Sequence, residues 1–259
     1  MALADVIIII SREGGSFVSR WLHVIVGITW IGLLYYFNFV QVPAFAEMEA
    51  AARNNAIDKL ASRALWWFRW AAVATLLTGI LLLIFQNDTP GGKAELFSGD
   101  YFKSVKGMAI ATGVLLAVTM FLNVWLVIWP NQKKVIANAR NVQAGGEADP
   151  DAAAAGRKAL LASRMNAIFS FAMLMFMVGT AHFFANGQFK ALPSGSDRGV
   201  YWAIVVVIWA LLEANALGWI GGTKPGGLNA IYDTHQAALW AGAALVVVYY
   251  AVFYLVLKR

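Results

Sequence analysis

The run RWLHVIVGITWIG, residues Arg20–Gly32, decides what kind of protein this is. It opens the first long apolar segment and carries one of only three histidines in 259 residues. A histidine about one turn inside a membrane-crossing helix is costly unless something binds it, so function is sought first at His23. On a helix His23, Gly27 and Trp30 share one face at i, i+4 and i+7, and the absent side chain at Gly27 leaves a flat slot beside the imidazole. A planar cofactor fits such a slot, which makes His23 a candidate haem ligand. The alternative is an imidazole hydrogen-bonded to a neighbouring helix.

The remainder of the chain suits a membrane reading. Hydrophobic residues make up 60% and charged residues 13%, eleven residues are Trp, and mean hydropathy is +0.64, a balance that ordinary soluble domains do not show. A net charge of +6 would suggest nucleic acid in a soluble protein. Here the basic residues sit in short loops, where they serve topology and contact with anionic lipid, so no nucleic-acid partner is expected. The chain has no cysteine, which excludes disulfides, thiolate metal sites, iron–sulfur clusters and covalent c-type haem attachment within it. A metal cofactor would therefore rest on His, Met, Glu or Asp. The apolar run Val6–Ile10 has acidic and polar flanks with no small-residue cleavage site after it, and reads as a short interfacial or re-entrant piece instead of a signal peptide.

Six windows are apolar over the ~20 residues that a ~30 Å hydrocarbon layer requires: about 19–42, 65–85, 105–129, 161–184, 200–221 and 235–257. The expected fold is all-α, a polytopic helix bundle forming one integral-membrane domain. Between the first two windows, AEMEAAARNNAIDKLASR places Met48, Ala52, Ile57 and Leu60 as the apolar side of an amphipathic surface helix; a solvated connector is the alternative. Trp66, Trp67 and Trp70, with Trp125 and Trp129, read as interface anchors. Residues 86–101 and 130–162 read as polar, turn-rich loops. Basic residues number nine on the side of the termini and ten on the other; only the cluster between Pro130 and Arg164 favours a cytoplasmic assignment for that loop and external termini.

With alternating spans, the start of the first and the end of the fourth face the same side, so His23 and His182 lie at matching depth. Gly179, three residues before His182, repeats the slot of Gly27. Two neutral imidazoles on facing helices would make a six-coordinate b-type haem suited to electron transfer. Met173, Met175 and Met177 nearby read as adaptable packing. A second set of polar residues falls toward the other side: Glu213 and Asn215 on the fifth window, Asn123 on the third, Asn38 and Gln41 on the first, Arg69 on the second, and His235 at the start of the sixth. A carboxylate within the bilayer needs a partner, with Arg69 or His235 as candidates for Glu213, and Asp233 placed to orient His235. Two readings of this set stand: a buried ion pair that fixes helix register, or a polar pocket that binds a small substrate and handles its protons.

The run RWLHVIVGITWIGLLYYFNFVQVPAFAEM, followed by RALWWFRW and TGILL and later by MNAIFSFAMLMFMVGTAHFF, resembles the membrane domain of the bacterial membrane-bound urate hydroxylases, the urate oxidase N-terminal family. The His-x6-Trp-x-Gly pattern at His23, Trp30 and Gly32 is also similar to the first helix of other small haem-binding membrane proteins. The resemblance implies a bacterial inner-membrane enzyme that oxidises urate to 5-hydroxyisourate and passes electrons through haem b to a cytochrome c. Members of the family usually carry a C-terminal cytochrome c domain, whereas this sequence has no Cys-x-x-Cys-His; a separate cytochrome, a longer parent protein or another function would each account for that. In the urate reading Arg69, Gln41, Asn38, Asn123 and Asn215 line the substrate, and Glu213, His235 and Asp233 serve proton transfer. Two other readings stand: a b-type haem subunit passing electrons from quinol to a cytochrome, and a non-redox structural or transport subunit. The pair Gly218-x3-Gly222 is a candidate helix contact for an oligomer.

Overall fold

Apolar segments separated by polar ones fold as hydropathy dictates. The computed structural model describes residues 11–86, 94–184 and 187–258, and Val6–Ile10 lies outside them. Six helices are long and apolar enough to cross a membrane: α1 Arg12–Glu47, α2 Ala50–Phe85, α3 Val105–Gln143, α4 Ala152–His182, α5 Gly195–Ala216 and α6 His235–Leu257. The chain is therefore a multi-pass, all-α membrane protein. Its first and last described residues share one face, here the terminal face. There Arg12 Nε donates to Phe85 O (3.3 Å), Val105 N to Ala191 O (3.2 Å), and Phe189 pairs with Lys258 in an isolated bridge.

The centre of the bundle is α4. In its most apolar stretch 67% of residues are buried, against 22–39% in the other five, which present much of their apolar surface outward as lipid-facing helices do. Close approach between helices comes where one side chain is missing, as expected when packing outweighs the hydrophobic effect. A Cβ on Gly79 of α2 would meet His23 of α1, one on Gly113 of α3 would meet Met177 of α4, and one on Gly242 of α6 would meet Phe171 of α4. Hydrogen bonds then tie α5 to its neighbours: Thr112 to Tyr201 (2.7 Å), Trp209 Nε1 to Thr119 Oγ1 (2.9 Å), and Tyr249 OH to Val205 O (3.1 Å).

Several helices outrun their apolar windows on the face opposite the termini. The segment expected to lie along the membrane surface is instead the beginning of α2: Ala50–Ala56 runs through a π-helical segment, Ile57–Ala61, into Ser62–Phe85. It is held to the end of α3 by Arg140 Nε and Asp58 Oδ1 at 2.5 Å. The expected loop 130–162 is also largely helical, since α3 continues to Gln143 and α4 begins at Ala152. Pro130 does not end α3 because the chain widens before it, into a π-helix over Asn123–Ile128. The same arrangement precedes Pro43, with a π-helix over Tyr36–Gln41. A proline lacks an N–H and crowds the carbonyl four residues back, and wider turns just before it absorb both defects. Within 86–101, the described part is Glu95–Phe97 as a 3₁₀ turn and Gly99–Lys103 as a short helix. Gly218 and Gly222 both have positive φ in the segment after α5, so they make no helix-packing pair.

Candidate functional site

Two polar layers lie at different depths. The first lies toward the terminal face. Thr78 of α2 donates its single hydroxyl proton to a backbone carbonyl, Ala74 O at 2.7 Å or Thr75 O at 3.1 Å. Its oxygen, 3.0 Å from His23 Nδ1, is then an acceptor. In its Nδ1–H tautomer His23 donates to that oxygen and presents the Nε2 lone pair, the tautomer that metal binding at Nε2 requires. Nothing lies within 4 Å of the position a Cβ on Gly27 would take, so the slot beside the imidazole is open. Trp30 is buried, and its Nε1 has no hydrogen-bond partner.

His182 lies at the same level. Tyr35 of α1 is hydrogen-bonded to Ser170 of α4 at 2.9 Å, and the two histidines are each twelve residues from that contact on antiparallel helices, about 18 Å along the axis. The lateral positions differ. His23 turns toward α2, whereas His182 is exposed in an apolar groove of about 490 Å³ between α4 and α6, with Met175, Val178, Val246 and Tyr250 among its walls. Gly179 does not reproduce the slot of Gly27, because the ring of Phe184 fills its flank. Among the described residues no three His, Asp or Glu converge. His23, beside an open glycine flank, has the surroundings of an axial haem ligand, while His182 matches it in depth but opens into a different groove.

The second layer lies toward the opposite face and is organised by residues 163–166 of α4. Asn38, within the π-helical part of α1, donates to Ser163 Oγ (2.9 Å) and Leu34 O (2.8 Å). Asn123, at the start of the π-helical part of α3, donates from Nδ2 to Asn166 Oδ1 (2.9 Å) and Glu213 Oε2 (3.3 Å), while Asn166 donates to Met120 O. The sequence pointed to Arg69 or His235 as the partner of Glu213, and the structure supplies an amide instead. The Arg69 guanidinium stacks on Trp129, 3.8 Å from the ring centroid, a cation–π contact that meets its need for a partner. His235 is half-buried at the first position of α6. Asp233 does not orient it, because its Oδ1 accepts from Arg157 Nη2 and its Oδ2 from Gly226 N, both at 2.7 Å. Burial raises the Asp233 carboxyl, but those two donors outweigh it and hold the group below its ordinary range. Asn215 donates to Leu228 O (2.9 Å) and helps hold the segment after α5.

Several buried polar atoms in this half of the molecule have no partner: Asn38 Oδ1, Gln41 Oε1, Trp125 Nε1, Asn215 Oδ1 and Arg164 Nε. Such atoms cost stability, and those of Asn38, Gln41 and Trp125 lie on the π-helical segments of α1 and α3. Sequence reading missed Tyr232 and Arg164. Tyr232 OH donates to Leu212 O (3.1 Å) and contacts Met165 Sδ (3.3 Å), its backbone carbonyl accepts from Arg164 Nη1, and burial pushes its phenol up to about 12. A tyrosine in a loop carries no periodic signal, and Arg164 reads as a loop cation at the end of a basic cluster.

No curated protein and no solved structure matches this chain. One family model does, over residues 94–211, a stretch holding α3, α4 and most of α5, and with them Asn123, Arg164, Asn166 and His182: the family is urate oxidase N-terminal, the one that the sequence resembles.

Proposed function

We propose that the protein is a membrane-bound, urate hydroxylase-like oxidoreductase. Urate and water give 5-hydroxyisourate, two protons and two electrons, and the electrons pass to a cytochrome c. The observation that carries this reading is the set of unpaired buried polar atoms, Asn38 Oδ1, Gln41 Oε1 and Trp125 Nε1, in the half of the molecule that holds Glu213. A purine dione edge alternates N–H donors with carbonyl acceptors, and amide oxygens together with an indole N–H complement both kinds. Asn123 holds Glu213 by one oxygen, which positions the carboxylate to accept a proton as the substrate is oxidised. His235, half-buried at the first position of α6, passes the proton to solvent in this reading. Haem b, held by His23, would supply one-electron acceptance between the substrate and the external acceptor. Thr78 accepts from the Nδ1–H tautomer of that ligand, and Trp30 offers an indole N–H in the same helix. The family match over residues 94–211 supports the reading, and an inner-membrane setting with termini on the periplasmic side places substrate and electron acceptor on opposite faces.

The test is an optical spectrum of detergent-purified protein, as isolated, after dithionite, and after anaerobic addition of urate. The expected result is a b-type haem reduced by urate alone. A haem that dithionite reduces and urate does not would favour oxidation of a quinol, and a colourless protein would end the redox reading.

A further inference from the structure

α4 buries a charge that makes no direct ion pair: the carboxylate of Asp233 acts on it only from beyond contact distance. Arg164 is 4% exposed; its Nη1 donates to the carbonyl of Tyr232, and its Nε has no partner. Among the described residues no carboxylate lies within ion-pair distance of it, since both oxygens of Asp233 are engaged by Arg157 and Gly226. Of the carboxylates in the region, Asp233 is engaged by Arg157 and Gly226 and Glu213 is held by the amide of Asn123, so neither pairs with Arg164. A buried cation left unpaired is destabilising, and a fold keeps one where an anion arrives. Arg164 sits next to Ser163, which holds Asn38, and Tyr232 links it to the backbone of Leu212 beside Glu213. The chain above it, from Gly218 to Gly227, has five glycines at positive φ and is fastened by polar bonds: Arg157 Nε to Thr223 O (2.8 Å) and Gly226 N to Asp233.

We propose that Arg164 is the anion anchor of the substrate layer, taking the negative charge of a planar monoanionic heterocycle that enters beneath the 218–227 segment. The identity of that anion as urate rests on the function proposed above. A structural arginine would instead serve only to hold Tyr232, and the two roles predict opposite changes in stability.

The experiment uses the full chain in detergent, with equilibrium dialysis of radiolabelled urate and thermal unfolding of the ligand-free protein. Arg164→Gln and Arg164→Met are expected to weaken urate binding at least tenfold, Arg164→Lys to retain part of it, and Lys103→Gln, a charge control on the terminal face, to leave it unchanged. In ligand-free protein Arg164→Met is expected to unfold at the same or a higher temperature, because it removes an unpaired buried charge. Urate binding by Arg164→Gln within twofold of the wild type overturns the anchor alone. A fall of several degrees in the unfolding temperature of both Arg164→Met and Arg164→Gln, with binding per folded molecule intact, makes Arg164 structural and overturns it too. Absence of urate binding by the wild type removes the urate reading and the anchor with it.

Discussion

A hydroxyl has one proton, and with that of Thr78 given to the helix backbone its oxygen accepts from the Nδ1–H tautomer of His23. Thr78→Val keeps the shape and removes the acceptor, so the imidazole loses its orientation. Haem content per protein, read as the Soret-to-280 nm ratio, is expected to fall at least threefold, with Thr78→Ser restoring it. His23 and its glycine were legible in the sequence because they lie on one helix. Thr78 was not, because its partner is 55 residues away and nothing local marks it. Glu213 failed differently: charge pairing suggested Arg69 or His235, but an amide satisfies the carboxylate and an indole face satisfies the guanidinium. Asp233 gives a pH signature. Its pKa is depressed on folding, so its stabilisation is fully present above the unfolded value of about 3.9 and is lost as pH falls through the lower folded value. Asp233→Asn is expected to cost about 1–3 kcal/mol near pH 7, and its unfolding curve to converge on the wild type's below pH 4.

At the scale of the helix, the two prolines show why the helices run on past the apolar windows. Hydropathy falls near Pro43 and Pro130, and proline usually ends a helix, so windows closing at 42 and 129 followed from sound rules. The wide turns upstream let α1 and α3 continue, and they are invisible to a 3.6-residue period. Those turns also aim Asn38, Gln41, Asn123 and Trp125. Pro130→Ala restores an N–H and favours ordinary α-helix by about 3 kcal/mol in intrinsic propensity. Hydrogen exchange over 123–128 is expected to slow while urate binding weakens, since a narrowed turn swings Asn123 away from Asn166. Unchanged binding with slowed exchange would mean that the wide turn serves the proline alone.

For the whole molecule, six crossings and the side on which each polar group falls were legible from composition, because a bilayer imposes its thickness on any chain. The central place of α4 was not legible, for its hydropathy resembles that of its neighbours. It follows from contacts such as the rings of Phe184, Tyr249 and Phe253 around the fully buried Phe176. Phe176→Ala is expected to lower stability by about 3 kcal/mol, the low end for such a truncation because lipid replaces some lost contact, while Val247→Ala on the outward surface changes it by less than about 0.5 kcal/mol. Thermal unfolding in one detergent measures both. Helices of 36, 36 and 39 residues reach about 54–58 Å against a hydrocarbon layer of ~30 Å, and their polar ends gather on one face. Among the described residues the protein is thus lopsided, with a collar of helix ends standing well clear of the hydrocarbon layer on the face opposite the termini, so a molecule approaching that face meets protein before it meets the lipid headgroups.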